Sequence, residues 1–248
     1  MHVPRFDARR LRILVALLLS AGALAGITPV VASASTVEAS ASTCVGWTGV
    51  QPPSPGTDSN SLLGVAVLSP CNAWAVGDYY NGTTYQTLIE HWNGTAWKQV
   101  TSPNAGGSSD PNFLDAVAAT STTNAWAVGS YWNGTAYQTL IEHWNGTAWK
   151  QVTSPNPGGS AGNFLDAVAA TSSTNAWAVG DYSNGTAEQT LIEHWNGTAW
   201  KQVTSPNPGG SADSNALDAV AATSSTNAWA VGYYFNGTAY RTLATHCC

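Results

Sequence analysis

The stretch IEHWNGTAWKQVTSPN occurs three times without a change, at Ile89–Asn104, Ile141–Asn156 and Ile192–Asn207. A fourth copy begins at Thr242 as TLATHCC and ends with the sequence, in the middle of the motif. Self-similarity at a fixed period is the signature of a repeat architecture, in which each copy is one structural unit. This stretch therefore decides the fold.

A second motif, NAWAVG, sets the period of the repeat. Its tryptophans are Trp74, Trp126, Trp177 and Trp229, which lie 52, 51 and 52 residues apart. The strands predicted for the third copy are Leu165–Ala170, Asn175–Tyr182, Glu188–Trp195 and Ala199–Pro206. Asn-Gly pairs separate the later strands, and this dipeptide between two β-like runs is a strong hairpin signal. The pattern predicts an all-β fold, a β-propeller of four four-stranded blades with about 51 residues each.

The repeat resembles kelch-type and sialidase-type β-propeller repeats. WNGTAW is similar to a degenerate Asp-box hairpin, with Asn where that motif has Asp. The run AWAVG…NGTAW is similar to repeats of photosystem-assembly-type propellers. The resemblance extends from Trp47 to the C-terminus and implies the fold, not a function.

The truncated fourth copy indicates where its missing strand lies. GWTGVQPPSPG, at Gly46–Gly56, matches AWKQVTSPNPG, at Ala199–Gly209, so that Trp47 aligns with Trp200. We predict that this N-terminal strand pairs with the C-terminal blade and closes the ring, which leaves no open sheet edge. In the alternative, two chains exchange the strand and share one eight-bladed ring. The predicted assembly is therefore a monomer or a strand-swapped dimer.

The cysteines are predicted to form disulfides, because disulfides persist in exported proteins. They are Cys44, Cys71, Cys247 and Cys248. On the alignment above, Cys44 and Cys248 flank the point at which the last hairpin is cut. We expect Cys44 to pair with Cys248 or Cys247, and Cys71 with the remaining one, although four cysteines allow three pairings. No CxxC spacing is present, which disfavours a zinc site.

The N-terminus has the order of a secretory signal peptide. Basic residues up to Arg12 precede the apolar run Ile13–Ala25, and Ala32-Ser33-Ala34 supplies an A-x-A cleavage site. The predicted segments are a signal peptide over 1–34, a flexible segment over 35–43 and the propeller over 44–248. The product is expected to be secreted and extracellular, with no membrane span in the mature chain; a retained anchor is the alternative.

Charge and composition narrow the range of partners. Cleavage after Ala34 would leave 214 residues with four basic and thirteen acidic side chains, a formal net charge of −9. Such a surface repels phosphate backbones, so nucleic acid is not an expected partner. Charged residues make up 9% of the chain, against about 25% in ordinary soluble proteins. This composition is typical of a turn-rich extracellular β protein.

The sequence has no HExxH and no phosphate loop. The resemblance to sialidases would imply an arginine cluster for a carboxylate substrate, and Arg241 is the only arginine after residue 34. Two carboxylates in a cleft can form a glycosidase, but near-identical blades are poorly suited to an asymmetric pair. We predict that the protein is not an enzyme; a remnant glycoside hydrolase is the third hypothesis.

Carboxylates on the predicted inner strands are the metal candidates. They are Asp115, Asp166 and Asp218, with Gly64 assigned to the corresponding place in the first copy. Such carboxylates can line the central channel and hold a structural Ca²⁺ ion through oxygen ligands. The alternative is that they cap turn amides at the channel mouth. No other cofactor is expected.

Other residues recur so regularly that we interpret them as structural. Eleven of the twelve tryptophans return at fixed positions, which predicts packing between adjacent blades. The histidines of Glu90-His91, Glu142-His143 and Glu193-His194 are expected to pack or form hydrogen bonds across strands. Each Asn-Gly-Thr triplet is formally a glycosylation sequon, but we interpret it as a tight turn in which Asn and Gly tolerate positive φ.

Variation inside the copied unit is the one functional signal. Just before the turn between strands two and three, the residues are Tyr80, Trp132, Ser183 and Phe235; just after it, they are Tyr85, Tyr137, Glu188 and Tyr240. The loops that join strands four and one vary as well. Alternate turns of a meander lie at opposite ends of a blade, so both sets of loops are expected on one face of the ring. Aromatic, hydroxyl and amide side chains with few charges suit sugar rings.

We therefore predict a secreted, non-catalytic, lectin-like module that binds glycan through this face. The candidate contacts are Tyr80, Tyr85, Tyr131, Trp132, Tyr137, Phe235 and Tyr240. The competing hypothesis is an extracellular protein-interaction or surface-structural module that uses the same aromatic side chains as hot spots.

Overall fold

Four antiparallel sheets follow one another along the chain. The computed structural model describes residues 49–247. The first blade consists of β1 (Asn60–Ser69), β2 (Asn72–Tyr80), β3 (Tyr85–Trp92) and β4 (Trp97–Val100), and the second of β5 (Asn112–Ser121), β6 (Asn124–Trp132), β7 (Tyr137–Trp144) and β8 (Trp149–Gln151). The third consists of β9 (Asn163–Ser172), β10 (Asn175–Ser183), β11 (Glu188–Trp195) and β12 (Trp200–Val203), and the fourth of β13 (Asn215–Ser224), β14 (Asn227–Phe235) and β15 (Tyr240–Cys247). A short 3-10 helix, Gly159–Ala161, lies in the connection between blades two and three.

The predicted all-β fold, a β-propeller built of four blades, is confirmed. Each sheet is a meander whose strands pair in chain order. The four strands predicted in the third copy appear as β9 to β12, with boundaries that differ by a few residues. Within the described residues, blade four has three strands, since nothing pairs with the outer edge of β15.

Successive blades pack through two different faces of each sheet. The front face of blade one presents Trp74, Val76 and Ile89. The back face of blade two presents Leu114 and Leu140, among others, and the two faces form one buried cluster. The same front and back positions meet between blades two and three, and again between blades three and four. Burial of large apolar side chains at these interfaces, at about 1.5–3 kcal/mol each, is what holds the array together.

Alternation along the second strand explains why NAWAVG is almost entirely apolar. In β6, Trp126 and Val128 face blade three, whereas Ala125 and Ala127 face blade one, and all four are fully buried. A strand buried on both faces requires apolar residues at every position. The alanines keep the back of the sheet flat enough for the tryptophan of the preceding blade to lie against it.

A bulge interrupts the first strand of each blade at the same place. In β5, the pairing with β6 shifts between Leu114 and Ala116, which leaves Asp115 as the extra residue. The same shift in β1 falls between Leu62 and Gly64. The counterpart of Asp115 in blade one is therefore Leu63, and the assignment of Gly64 to that place was wrong by one residue.

The Asn-Gly turns differ in detail from the predicted geometry. Tyr80 pairs with Tyr85, so the loop between β2 and β3 has four residues. Only its glycine, Gly82, takes a positive φ, of 96°, and every positive φ among the described residues belongs to a glycine. Asn81 instead accepts hydrogen bonds at Oδ1 from the backbone N–H groups of Thr83 and Thr84, at 2.9 and 3.0 Å. The asparagine caps the turn with its side chain, which corrects the expectation that its backbone adopts positive φ.

The N-terminal segment joins β1 in the same way as the connections between blades. Gly56 N donates to Asn60 Oδ1 at 2.6 Å, as Gly209 N donates to Asn215 Oδ1 at 2.9 Å. This match supports the alignment of the segment with the end of a blade. Val50, however, is exposed and lies outside any strand. Because Trp47 lies outside the described residues, closure of the ring by this strand stays a prediction.

Several sequence predictions concern residues that the structure does not describe. Cys71 and Cys247 are free and exposed, while Cys44 and Cys248 lie outside the described residues, as do the predicted signal peptide and the segment 35–43. The disulfide pairing and the cleavage site therefore stay predictions. Among residues 49–247, no helix has the length and apolar character needed to cross a bilayer.

Candidate functional site

The variable loops come together at one end of the blades. Asn81, in the turn between β2 and β3, donates from Nδ2 to the carbonyl oxygen of Ser108 at 3.2 Å. Asn184 makes the equivalent contact with Ser211 at 2.8 Å. Ser108 and Ser211 lie in connections that lead from one blade to the next. Turns and connections therefore share one rim, as expected, and we call this end of the molecule the variable face.

The repeated motif TSPN anchors the connections between blades on this face through hydrogen bonds. Asn104 Oδ1 accepts from the backbone N–H of Thr87 at 2.9 Å, and the Thr87 hydroxyl donates to the carbonyl of Pro103 at 3.0 Å. At the other end of the connection, buried Asn112 accepts at Oδ1 from Gly106 N at 2.8 Å and donates to the carbonyl of Asp110 at 2.7 Å. Both ends of each loop are thus fastened to rigid strands, whereas the residues between them vary.

A continuous row of aromatic side chains crosses the variable face from blade one to blade three. We call it the aromatic stripe, and it consists of Tyr80, Tyr85, Phe113, Trp132, Tyr137 and Phe164. Successive ring centroids are separated by 5.5 Å (Tyr80–Tyr85), 5.5 Å (Tyr85–Phe113), 6.4 Å (Phe113–Tyr137), 5.3 Å (Tyr137–Phe164) and 5.3 Å (Trp132–Tyr137). All six side chains are partly exposed.

Strand register places these rings. Tyr80 lies opposite Tyr85, and Trp132 lies opposite Tyr137, at the ends of their hairpins. Phe113 is the second residue of β5 and contacts both Tyr85 of the preceding blade and Tyr137 of its own. The aromatic pairs of neighbouring blades are therefore linked by a phenylalanine, and the stripe continues across the blade boundary.

The sequence analysis missed the two phenylalanines. Their position reads Ser61, Phe113, Phe164 and Ala216 in the four blades, so it varies in the same manner as the positions that were selected. That variation in the sequence could have identified Phe113 and Phe164 as candidate site residues.

The stripe ends in blade three. Ser183 lies opposite Glu188 there, in place of an aromatic pair. In blade four, Phe235 and Tyr240 are in contact at 5.3 Å, but Ala216 supplies no ring to connect them to blade three. The predicted contact residues therefore form two groups, the stripe and a separate pair in blade four.

Tyr131 belongs to neither group. It packs against the buried cluster between blades one and two, together with Leu114 and Trp74. Tyr182 and Tyr234 occupy the same position in the next two interfaces. Since neighbouring residues of a strand point to opposite faces of the sheet, Tyr131 and Trp132 are directed to different surroundings. The structure places the tyrosine with the core residues.

The charged groups on the variable face are mainly carboxylates, such as Asp110 in the connection between blades one and two and Glu188 in blade three. The lysines are on the outermost strands, at Lys98, Lys150 and Lys201, and Arg241 follows Tyr240 in blade four. The connections between blades place backbone carbonyls on the same face. Such a surface favours a ligand that is uncharged, with both apolar and hydrogen-bonding parts.

The Glu-His pairs of the third strands lie inside the blade interfaces. His91, His143 and His194 lie against Trp74, Trp126 and Trp177, with ring centroids at 4.3, 4.1 and 4.1 Å. His91 Nε2 hydrogen-bonds Asn72 Oδ1 at 3.0 Å. Burial lowers the pKa of all three histidines. The expected structural role of these histidines, packing and hydrogen bonding across strands, is confirmed.

The accompanying glutamates are fully buried, which makes them unusual carboxyl groups. Desolvation raises the pKa of Glu90 to about 7 and that of Glu142 and Glu193 to about 8. The Ser102 hydroxyl donates to Glu142 from the neighbouring blade at 3.0 Å, whereas Glu90 and Glu193 have no hydrogen-bond partner among the described residues. Glu142 and Glu193 face the preceding blades, whereas Glu90 lies on the back of blade one; none of the three belongs to the stripe.

The metal candidates are spread over three blades. Asp115, Asp166 and Asp218 lie at equivalent places on β5, β9 and β13. Within residues 49–247, no three His, Cys, Asp or Glu side chains come together in a group that could hold a metal ion. A structural Ca²⁺ ion at these aspartates stays a prediction.

Comparison with known proteins gives no family. No protein-family model matches the chain, and no curated protein matches it. A similar solved structure belongs to the GH130 family of mannoside phosphorylases, which contains glycoside hydrolases that target beta-1,2 mannosidic linkages in Candida mannan. It has 10% identity and a TM-score of 0.42, and the match covers 71% of this chain and 60% of that chain. The chain thus spans less than two thirds of that structure.

Two further similar structures are of YCF48. YCF48 from Cyanidioschyzon merolae has 13% identity and a TM-score of 0.37, with coverage of 78% and 74% of the two chains. YCF48 bound to D1 peptide has 13% identity and a TM-score of 0.26, with coverage of 78% and 84%. At these values the similarities carry no argument about ligand or activity, and the blades themselves define the architecture.

Proposed function

We propose that the protein is a secreted, non-catalytic carbohydrate-binding module whose ligand lies along the aromatic stripe. The observation that carries the proposal is the continuity of six partly exposed rings across three blades. Pyranose rings stack on aromatic faces and form hydrogen bonds at their rims, which the carbonyl and amide groups of the fixed connections can satisfy. Export by the N-terminal leader would bring this surface to extracellular glycans.

The shape of the stripe favours an extended ligand. Tyr85, Phe113 and Tyr137 follow one another at 5.5 and 6.4 Å, so the row is longer than one sugar ring. A chain of several sugars can contact the rings of two blades at once, whereas a single sugar cannot. We therefore expect oligosaccharides to bind more tightly than the corresponding monosaccharides.

A glycan array with the purified mature protein, followed by calorimetry with the best oligosaccharide, tests the proposal. Trp132→Ala should weaken binding by about 1–3 kcal/mol, as stacked aromatic anchors commonly do. The matched control is Tyr240→Ala, which removes an aromatic side chain that is 65% exposed and lies outside the stripe. Its effect on affinity should be small.

Two results would count against the proposal. One is an array without any glycan signal, together with binding to a protein through the same aromatic residues. The other is equal loss of affinity in Trp132→Ala and Tyr240→Ala, which would show that the stripe is not the binding surface.

A further inference from the structure

The two ends of the four-blade array expose large apolar side chains. On the back face of blade one, Val65 and Val67 of the inner strand are 65% and 70% exposed, whereas Ala73, Ala75 and Leu88 of the next two strands are buried. On the front face of blade four, Trp229 and Val231 are 52% and 47% exposed. We call these two surfaces the end faces. They combine several large apolar residues in one place, which is characteristic of an interaction site.

The positions of Trp229 and Val231 are buried in each of the other three blades, and that of Val65 is buried in blades two and three. Trp126 and Val128, the counterparts of Trp229 and Val231, are fully buried against blade three. Val117, the counterpart of Val65, is 8% exposed. Each end face is therefore one half of an interface that the chain already forms three times, and the two halves are complementary.

The tryptophan contacts between blades indicate which residues would pack on each end face. Trp74 contacts Trp149 edge-on at 5.2 Å and 90°, and Trp126 contacts Trp200 at 5.2 Å and 89°. In the equivalent arrangement, Trp229 would meet Trp97, the residue of blade one that corresponds to Trp149. Trp97 is partly exposed, so this partner position is accessible.

Blade four does not reach blade one of its own chain. The matching ring geometry at the first two interfaces indicates a constant rotation from blade to blade. If that rotation were a quarter turn, three steps would bring the front of blade four onto the back of blade one, and Trp229 would be as buried as Trp126. The inner strands pack in succession, β1 on β5, β5 on β9 and β9 on β13, whereas β13 does not pack on β1 within the described residues. The rotation per blade is therefore smaller than a quarter turn, and further blades are needed to complete a ring.

We propose that a second copy of this chain supplies those blades. The front face of blade four in each copy would pack on the back face of blade one in the other, so that two chains related by a twofold axis form one closed ring of eight blades. Two equal junctions and closed symmetry leave no unpaired end face, and closed symmetry is the usual form of homo-oligomers.

The N-terminal segment fits the same assembly. Nine residues, 51–59, separate Val50 from β1, and eleven, 101–111, separate β4 from β5. A fourth strand that precedes β1 by such a connection belongs to the blade behind blade one. In the eight-bladed ring, that blade is blade four of the second copy.

The mass of the purified protein in solution tests the proposal, with light scattering coupled to gel filtration as the measurement. The wild-type protein should have twice the mass of one chain. Val231→Asp and Val67→Asp should each reduce it to the mass of one chain, since either change places a charge in both junctions of a symmetric ring. Both side chains are exposed within one chain, so neither change should prevent folding. Thr186→Asp, on an exposed turn, is the control and should remain dimeric.

Mixing the two variants gives the sharpest result. In a mixed pair, one junction combines the unaltered blade four of Val67→Asp with the unaltered blade one of Val231→Asp. An equimolar mixture should therefore recover a species of two chains that neither variant forms alone. A wild-type protein with the mass of one chain, variants that remain dimeric, a mixture that stays monomeric, or open polymers of growing length would each overturn the proposal.

Discussion

At the residue scale, the tryptophans differ sharply in what surrounds them. Trp126 is fully buried and contacts His143, Trp195 and Trp200, whereas Trp132 is partly exposed at the rim. Trp126→Ala should therefore lower the free energy of unfolding by about 3–5 kcal/mol, because it leaves a cavity between two blades. Trp132→Ala should lower it far less. Denaturant titration of both variants measures the difference; equal losses would mean that Trp132 is a packing residue.

The buried glutamates should make stability depend on pH. Burial raises the pKa of Glu193 from 4.5 to about 8, so between these values the folded state holds a proton that the unfolded state releases. Stability must then fall as pH rises through this range. The histidines, whose pKa is lowered in the folded state, give a slope of opposite sign that fades above their unfolded pKa of about 6.5, so the glutamates dominate the interval from 6.5 to 8.5.

Glu193→Gln should remove part of that slope, by up to about 1.4 kcal/mol per pH unit. The variant should be more stable than the wild type at pH 8.5 and closer to it at pH 6.5. Asp58→Asn changes an exposed carboxylate and serves as the control, with little change in slope expected. Denaturant titrations at several pH values measure the effect, and a wild-type stability that increases from pH 6.5 to 8.5 would contradict it.

At the scale of single elements, the glycines of the hairpin turns can be compared in pairs. Gly134 and Gly146 have nearly equal φ values of 92° and 91°. A β carbon on Gly134 would meet nothing within 4 Å, whereas one on Gly146 would lie 2.9 Å from Thr123 Cγ2. Gly134→Ala should cost about 1–2 kcal/mol from backbone strain alone, and Gly146→Ala should cost more. Thermal and denaturant unfolding measure both; because the φ values are nearly the same, the reverse order would contradict the predicted clash with Thr123.

Strand positions and hairpins could be predicted from the sequence because each depends on neighbours along the chain. The alternation in NAWAVG and the Asn-Gly pairs are local signals. Only the hairpin residues of the aromatic stripe could be predicted, since Phe113 joins the stripe through a contact with Tyr85 across a blade boundary. Tyr131 was grouped with Trp132 because they are adjacent in sequence, and the strand separates them onto two faces. The bulge at Asp115 depends on the pairing between strands, which the spacing of residues in the sequence does not show.

At the scale of the whole molecule, the cysteines should report how the ring is closed. If the N-terminal strand of one copy completes blade four of the other, a bond between Cys44 and Cys248 links two chains. The exported protein should then migrate at twice the chain mass on a non-reducing gel and at the chain mass after reduction. Peptide mapping should identify the linked segments. A disulfide within single chains would contradict the shared ring, and four free thiols would refute the predicted pairing altogether.

The neighbour-only packing of the blades has a mechanical consequence. Within the described residues, the inner strand of each blade packs on those of the blades before and after it in sequence. A molecule pulled from its two termini should therefore yield in steps, with one blade released at a time. Each step would free a segment of 51 or 52 residues, or roughly 17–19 nm of extended chain. Since the repeats have nearly the same length, the extension released at each rupture event should be almost the same.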